Sequence, residues 1–173
     1  MTTRRLFLTL LAGASAALQG CQEPSPVAPD EPEPQALLGL PLPEPTGLLT
    51  CSPLPYDSTT QMIGPEGGTI YVGPHRLSVP AGALDAPVTI TAVAPSDNVN
   101  RVQFQPEGLV FEQPAYLRMS YANCNLLGSL APKRIAYVDD ALTILYYLLS
   151  YDSPWTKTVT GRLEHFSEYA IAW

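Results

Sequence analysis

From Cys51 onward, apolar side chains recur at every second position, and turn residues interrupt the alternation every eight to twelve positions. That is the pattern of short strands with one buried face. Thr69–Val72 follows the pair Gly67-Gly68, and Arg76–Val79 puts Leu77 and Val79 inward before Pro80. Val88, Ile90, Ala92 and Ala94 alternate with Thr89 and Thr91, and Val102 and Phe104 begin a further strand that stops at Pro106-Glu107-Gly108. Ala115, Leu117, Met119 and Tyr121 share one face, opposite Tyr116, Arg118 and Ser120. Ile135–Val138, Thr143–Tyr151, Lys157–Leu163 and Glu168–Trp173 bring the candidates to about nine strands. Only Thr143–Tyr151 (TILYYLLSY) is long enough to compete as a helix. Its aromatic and β-branched content, between the turns Asp139-Asp140 and Ser153-Pro154, favours a strand. The predicted fold is all-β: an antiparallel β-sandwich spanning residues 51–173, two sheets facing each other ~10 Å apart.

The first fifty residues carry no such alternation. Arg4 and Arg5 precede an uncharged apolar stretch, Leu6–Leu18, too short for the ~20 residues of a membrane-spanning helix and suited to a signal peptide over residues 1–20. Thr3-Arg4-Arg5-Leu6-Phe7-Leu8 also resembles a twin-arginine export motif, so the general secretory and twin-arginine routes both stay open. Leu18-Gln19-Gly20-Cys21 resembles a bacterial lipobox, with Cys21 as the thiol that accepts a diacylglyceryl group, although Gln19 replaces the usual small residue. The alternative is an ordinary signal peptide cut near Ala16 or Ala17. Gln22 in place of Asp after Cys21 fits outer-membrane sorting in a two-membrane cell. Residues 22–48 hold eight of the nineteen prolines, each of which removes a backbone donor and fixes φ. Residues 21–50 therefore read as a lipidated cysteine followed by an extended Pro/Glu-rich linker, disordered in the sense of lacking regular structure, at ~3 Å per residue.

Composition narrows the function classes. Of 173 residues, 14% are charged, about half the usual share, which argues against a coiled coil or helical bundle with wet Glu/Lys faces. A net charge of −7 disfavours an electrostatic nucleic-acid binder. If Cys21 is acylated, Cys51 and Cys124 remain, an even number in an oxidising compartment, and a disulfide between them is the simplest expectation. A buried thiol or a metal ligand is the competing reading. The two histidines, His75 and His165, do not stand at ligand spacing from a cysteine, so no metal site is expected.

Several stretches together resemble the ZU-five domain of ankyrins, tight-junction scaffolds, netrin receptors and many exported bacterial proteins. They are Ile63-Gly64-Pro65-Glu66-Gly67-Gly68-Thr69-Ile70, Leu77-Ser78-Val79-Pro80-Ala81-Gly82-Ala83-Leu84, Val88-Thr89-Ile90, and Pro106–Phe111 with Pro114-Ala115-Tyr116-Leu117. The similarity spans roughly residues 60–122, with an echo at His165–Tyr169. Physically these are turn and core residues: Gly67-Gly68 suits a positive-φ turn, Gly82 a tight corner before Leu84, Pro106-Glu107-Gly108 a type II turn with Pro and Gly central, and Phe111 a core plug. The resemblance implies a scaffold or binding module without catalysis.

No nucleophile elbow, phosphate-binding glycine loop, Cys-x-x-Cys or calcium loop is present in the sequence. Asp139-Asp140 reads as a solvated turn. One motif carries chemistry: His165-Phe166-Ser167 resembles the self-cleavage site of related domains in death-domain and inflammasome proteins and in a self-processing nucleoporin. There Ser167 would attack the Phe166 carbonyl in an N→O acyl shift, with His165 or His75 as base; the plain alternative is an inert final strand. Tyr146, Tyr147, Tyr151, Trp155 and Tyr169 could line a carbohydrate or peptide groove, or serve as core edges and cross-strand pairs. The combined expectation is an exported, membrane-anchored lipoprotein of the bacterial cell envelope, facing the periplasm or the surface. It would be held by lipid on Cys21, act as a structural or protein-binding module for an envelope partner, and use no cofactor, metal or catalytic residue.

Overall fold

Alternation of the kind described can bury its apolar face only against a second such face, and the chain does so with strands alone. A computed structural model describes residues 47–126 and 131–173. The signal segment, Cys21 and most of the linker lie outside these residues. Eleven strands form: β1 (Asp57–Ile63), β2 (Gly68–Val72), β3 (His75–Val79), β4 (Val88–Ala94), β5 (Arg101–Gln105), β6 (Val110–Ser120), β7 (Arg134–Val138), β8 (Ile144–Tyr147), β9 (Ser150–Ser153), β10 (Thr158–His165) and β11 (Glu168–Ala172). They pair as two antiparallel sheets, one of six strands in the order β1-β4-β5-β11-β7-β8 and one of five in the order β2-β3-β6-β10-β9. The inner faces enclose a common core containing Ile70, Leu77, Ile90, Phe104, Leu117, Ile135, Leu163 and Phe166. The molecule is a β-sandwich.

Strand parity follows the sequence closely. Leu77 and Val79 are buried beside half-buried Arg76 and Ser78. Ala115, Leu117, Met119 and Tyr121 point inward, with Tyr116, Arg118 and Ser120 outward. Gly67 adopts φ +75°, and a Cβ there would lie 2.5 Å from the Val79 carbonyl oxygen, so only glycine fits this turn.

Four details differ from expectation. β1 is an additional edge strand: its side chains are mostly exposed before Ile63, so it lacks a greasy stripe and is held by its ladder to β4. Thr143–Tyr151 is two strands, not one, because the chain changes sheets at Leu148-Leu149. Leu148 is buried and donates its N–H to the Ile135 carbonyl, whereas Leu149 is exposed and accepts from the Arg162 N–H. β11 is buried along its whole length and not on one face only, since it lies in the middle of its sheet with a second small cluster (Ala136, Val138, Ala170, Ala172) on its other side. Finally, the turn after β5 is shifted by one residue. Pro106 follows a cis peptide bond and stands first, Glu107 and Gly108 are central, with Gly108 at φ +76°, and the Leu109 N–H donates to the Pro106 carbonyl.

Linker-like residues join the sandwich. Leu49 is buried in the core and donates its N–H to the Ile171 carbonyl, and Thr50 bridges Val99. Beside them Cys51 faces Cys124 across an antiparallel bridge, and the two are joined as a disulfide with S–S 2.02 Å.

Candidate functional site

The polypeptide passes from the five-stranded to the six-stranded sheet at the β10–β11 corner, and His165-Phe166-Ser167 forms that corner. Phe166 is fully buried between the sheets, stacked on Phe104 at 4.9 Å between centroids and edge-on to Phe111 at 4.9 Å. Its N–H donates to the Leu109 carbonyl at 2.7 Å, and its own carbonyl accepts the Gly108 N–H at 3.0 Å. The His165 carbonyl accepts the Tyr169 hydroxyl at 2.6 Å, and the Ser167 carbonyl accepts the Phe104 N–H. The corner is thus pinned by hydrogen bonds on both sides.

The His165 ring lies at the rim. Nε2 is 3.1 Å from the Tyr146 hydroxyl, and Nδ1 is 3.3 Å from the Phe166 carbonyl oxygen. Burial raises the Tyr146 pKa, so that hydroxyl keeps its proton and can donate to Nε2. In that tautomer the ring proton sits on Nδ1, aimed at the Phe166 carbonyl. In that arrangement the His165 ring and the Gly108 N–H both face the Phe166 carbonyl oxygen.

Ser167 is buried, and among the described residues no His, Asp or Glu side chain accepts a hydrogen bond from it. None of His165, Phe166 and Ser167 has a positive φ. His75, the other candidate base, is far away. Its Nδ1 accepts the Ser120 N–H at 3.2 Å, ten residues along β6 from the Val110 that pairs with His165, or roughly 30 Å at strand rise. It is buried, which lowers its pKa to about 4.

The five aromatics do not converge on one groove. Tyr169 is in the core, where burial raises its pKa, and packs against Tyr137 and His165. Tyr146 leans on Tyr137, Tyr147 lies under the Arg134 guanidinium at 4.6 Å, and Tyr151 and Trp155 project into solvent. Tyr146 and Tyr147 line a shallow depression of about 160 Å³ with Leu149, Arg162 and Glu164. Asp139 acts as a turn residue, its Oδ1 accepting the Ala141 and Thr143 N–H groups. Among the described residues no group of three His, Cys, Asp or Glu side chains could hold a metal ion.

No protein-family model matches the chain, and no curated protein matches it.

Sequence reasoning missed one feature of the surface. Arg76 and Arg118 stand directly opposite each other on β3 and β6, in a groove of about 310 Å³. Each is visible in the sequence as an outward position, but their pairing depends on two strands that are not consecutive.

Proposed function

We propose that the protein is a lipid-anchored lipoprotein of the bacterial cell envelope, and that its β-sandwich serves as a structural or protein-binding module and not as an enzyme. The observation that carries this reading is the Cys51–Cys124 disulfide. An oxidised pair fits an exported compartment, and it leaves Cys21 as the one remaining cysteine, placed at the end of Leu18-Gln19-Gly20-Cys21. The acidic, proline-rich residues that follow suit a spacer between lipid and domain. The resemblance of residues 60–122 to ZU-five scaffold modules supports a binding role.

Metabolic labelling with a palmitate analogue in a bacterial host, followed by detergent phase partitioning, tests the anchor. The wild-type chain should carry label and enter the detergent phase, and Cys21→Ala should do neither. A Cys21→Ala chain retained in the membrane fraction would overturn the lipid assignment. Cross-linking in intact cells should then trap an envelope protein on the sandwich.

One observation favours a second reading, self-cleavage between Phe166 and Ser167: the Phe166 carbonyl oxygen has both Gly108 N–H and the His165 ring within reach, as a developing oxyanion would need. Under the leading reading, denaturing mass spectrometry gives one intact mass, identical in form for Ser167→Ala. Two fragments meeting at Phe166/Ser167, abolished by Ser167→Ala, would establish self-processing instead.

A further inference from the structure

Register aligns Tyr71, Arg76, Arg118, Thr160 and Tyr151 in one row across the outer face of the five-stranded sheet. Opposed residues on antiparallel strands have Cβ atoms ~5 Å apart, and like charges at such positions repel. The third arginine of this face, Arg162, is paired with Glu164 at 2.9 Å. Arg76 and Arg118 have no carboxylate partner among the described residues; the other ion pairs there belong to Arg101. Arg76 also carries a buried Nε with no acceptor. Among the described residues no carboxylate lines this groove. Asp57, beside the turn between β2 and β3, is occupied by the Ser58 and Gly73 N–H groups.

The groove between these arginines is about 310 Å³ and is walled by Tyr71, Ser120, Thr158 and the β2–β3 turn. That volume exceeds a bare ion and falls at the lower end of small-molecule sites. Guanidinium groups bind carboxylate and phosphate through two parallel N–H donors each. Ser120 Oγ accepts the Ala122 N–H, which leaves its own O–H to donate outward.

We propose that this groove binds the carboxylate or phosphate group of a sugar-sized ligand. Arg76 and Arg118 together supply the anion's partners, the Ser120 hydroxyl contacts a ligand oxygen, and the Tyr71 ring forms an apolar wall. The ligand neutralises the repulsion between the two guanidinium groups. This site goes beyond the module reading above and stands whether or not Cys21 carries lipid.

Calorimetric titration of the full chain at low salt tests it, with glucose 6-phosphate, glucuronate, glucose and inorganic phosphate as probes. Saturable binding of glucose 6-phosphate or glucuronate is expected, with no binding of neutral glucose; which acid binds more tightly decides between phosphate and carboxylate. Arg76→Gln and Arg118→Gln should each weaken binding about tenfold or more, while Arg162→Gln on the same face should leave it within about twofold. Melting curves confirm that each variant is folded, and Arg118→Gln carries the test if Arg76→Gln unfolds. Inorganic phosphate binding as tightly as the sugar phosphate would overturn the sugar-sized ligand. The absence of saturation by either acid up to about 10 mM, or affinity unchanged in folded variants, would overturn the site.

Discussion

His75 sits inside the sandwich with its Nδ1 accepting the Ser120 N–H, and desolvation holds its pKa at about 4 against 6.5 in an exposed imidazole. Above pH 6.5 the ring is neutral both folded and unfolded. As pH falls from 6.5 toward 4, the unfolded chain takes up a proton that the folded one does not, so stability is complete at neutral pH and declines across that window. The loss reaches ~3 kcal/mol by pH 4. Urea midpoints at pH 7 and pH 4.5 should therefore differ clearly for the wild type and much less for His75→Gln, whose amide oxygen can still accept from Ser120. An equal drop in both proteins would remove His75 as the cause. The inward position of His75 has the same parity as Leu77 and Val79 and is readable from the sequence once the strand is begun one residue earlier than Arg76. Its distance from Ser167 is not readable, because that depends on how β3 lies against β6.

Corners between sheets, more than strands, set this architecture. The β10–β11 corner holds Phe166 in the core against Phe104 and Phe111, so Phe166→Ala should cost about 3–5 kcal/mol in chemical denaturation. A cost below about 1 kcal/mol would mean that the corner collapses around the lost ring. Leu148-Leu149 makes the other unexpected crossing, dividing a continuous apolar run into β8 and β9. A run such as TILYYLLSY reads as one strand because its hydrophobicity has no break. The division comes from Leu148 being drawn to Ile135 on one sheet while Leu149 bonds to Arg162 on the other. β1 shows the opposite case. An exposed edge strand has no apolar period to detect, and it forms because β4 offers seven paired positions.

Across the whole molecule, the Cys51–Cys124 disulfide ties the first residues of the sandwich to the end of β6, across a sequence separation of 73. Closing a loop of that size restricts the unfolded chain by about 4 kcal/mol in the chain-entropy account, a large share of the ~5–15 kcal/mol typical of a domain. The Cys51→Ala/Cys124→Ala double variant should melt roughly 10–20 °C lower than the oxidised protein, and dithiothreitol should lower the wild type to a similar temperature. Equal melting of oxidised and reduced protein would show that the bridge adds nothing beyond the core. The all-β class and the inward face of most strands could be read from the chain, because strand parity repeats every two residues; the cysteine pair followed by counting only with Cys21 set aside as the expected acyl acceptor. The order of strands in each sheet, the crossings at Leu148 and Phe166, and the meeting of Arg76 with Arg118 were settled only by folding. Each depends on which distant segments become neighbours, and a pattern that repeats every second residue carries no information about its partner.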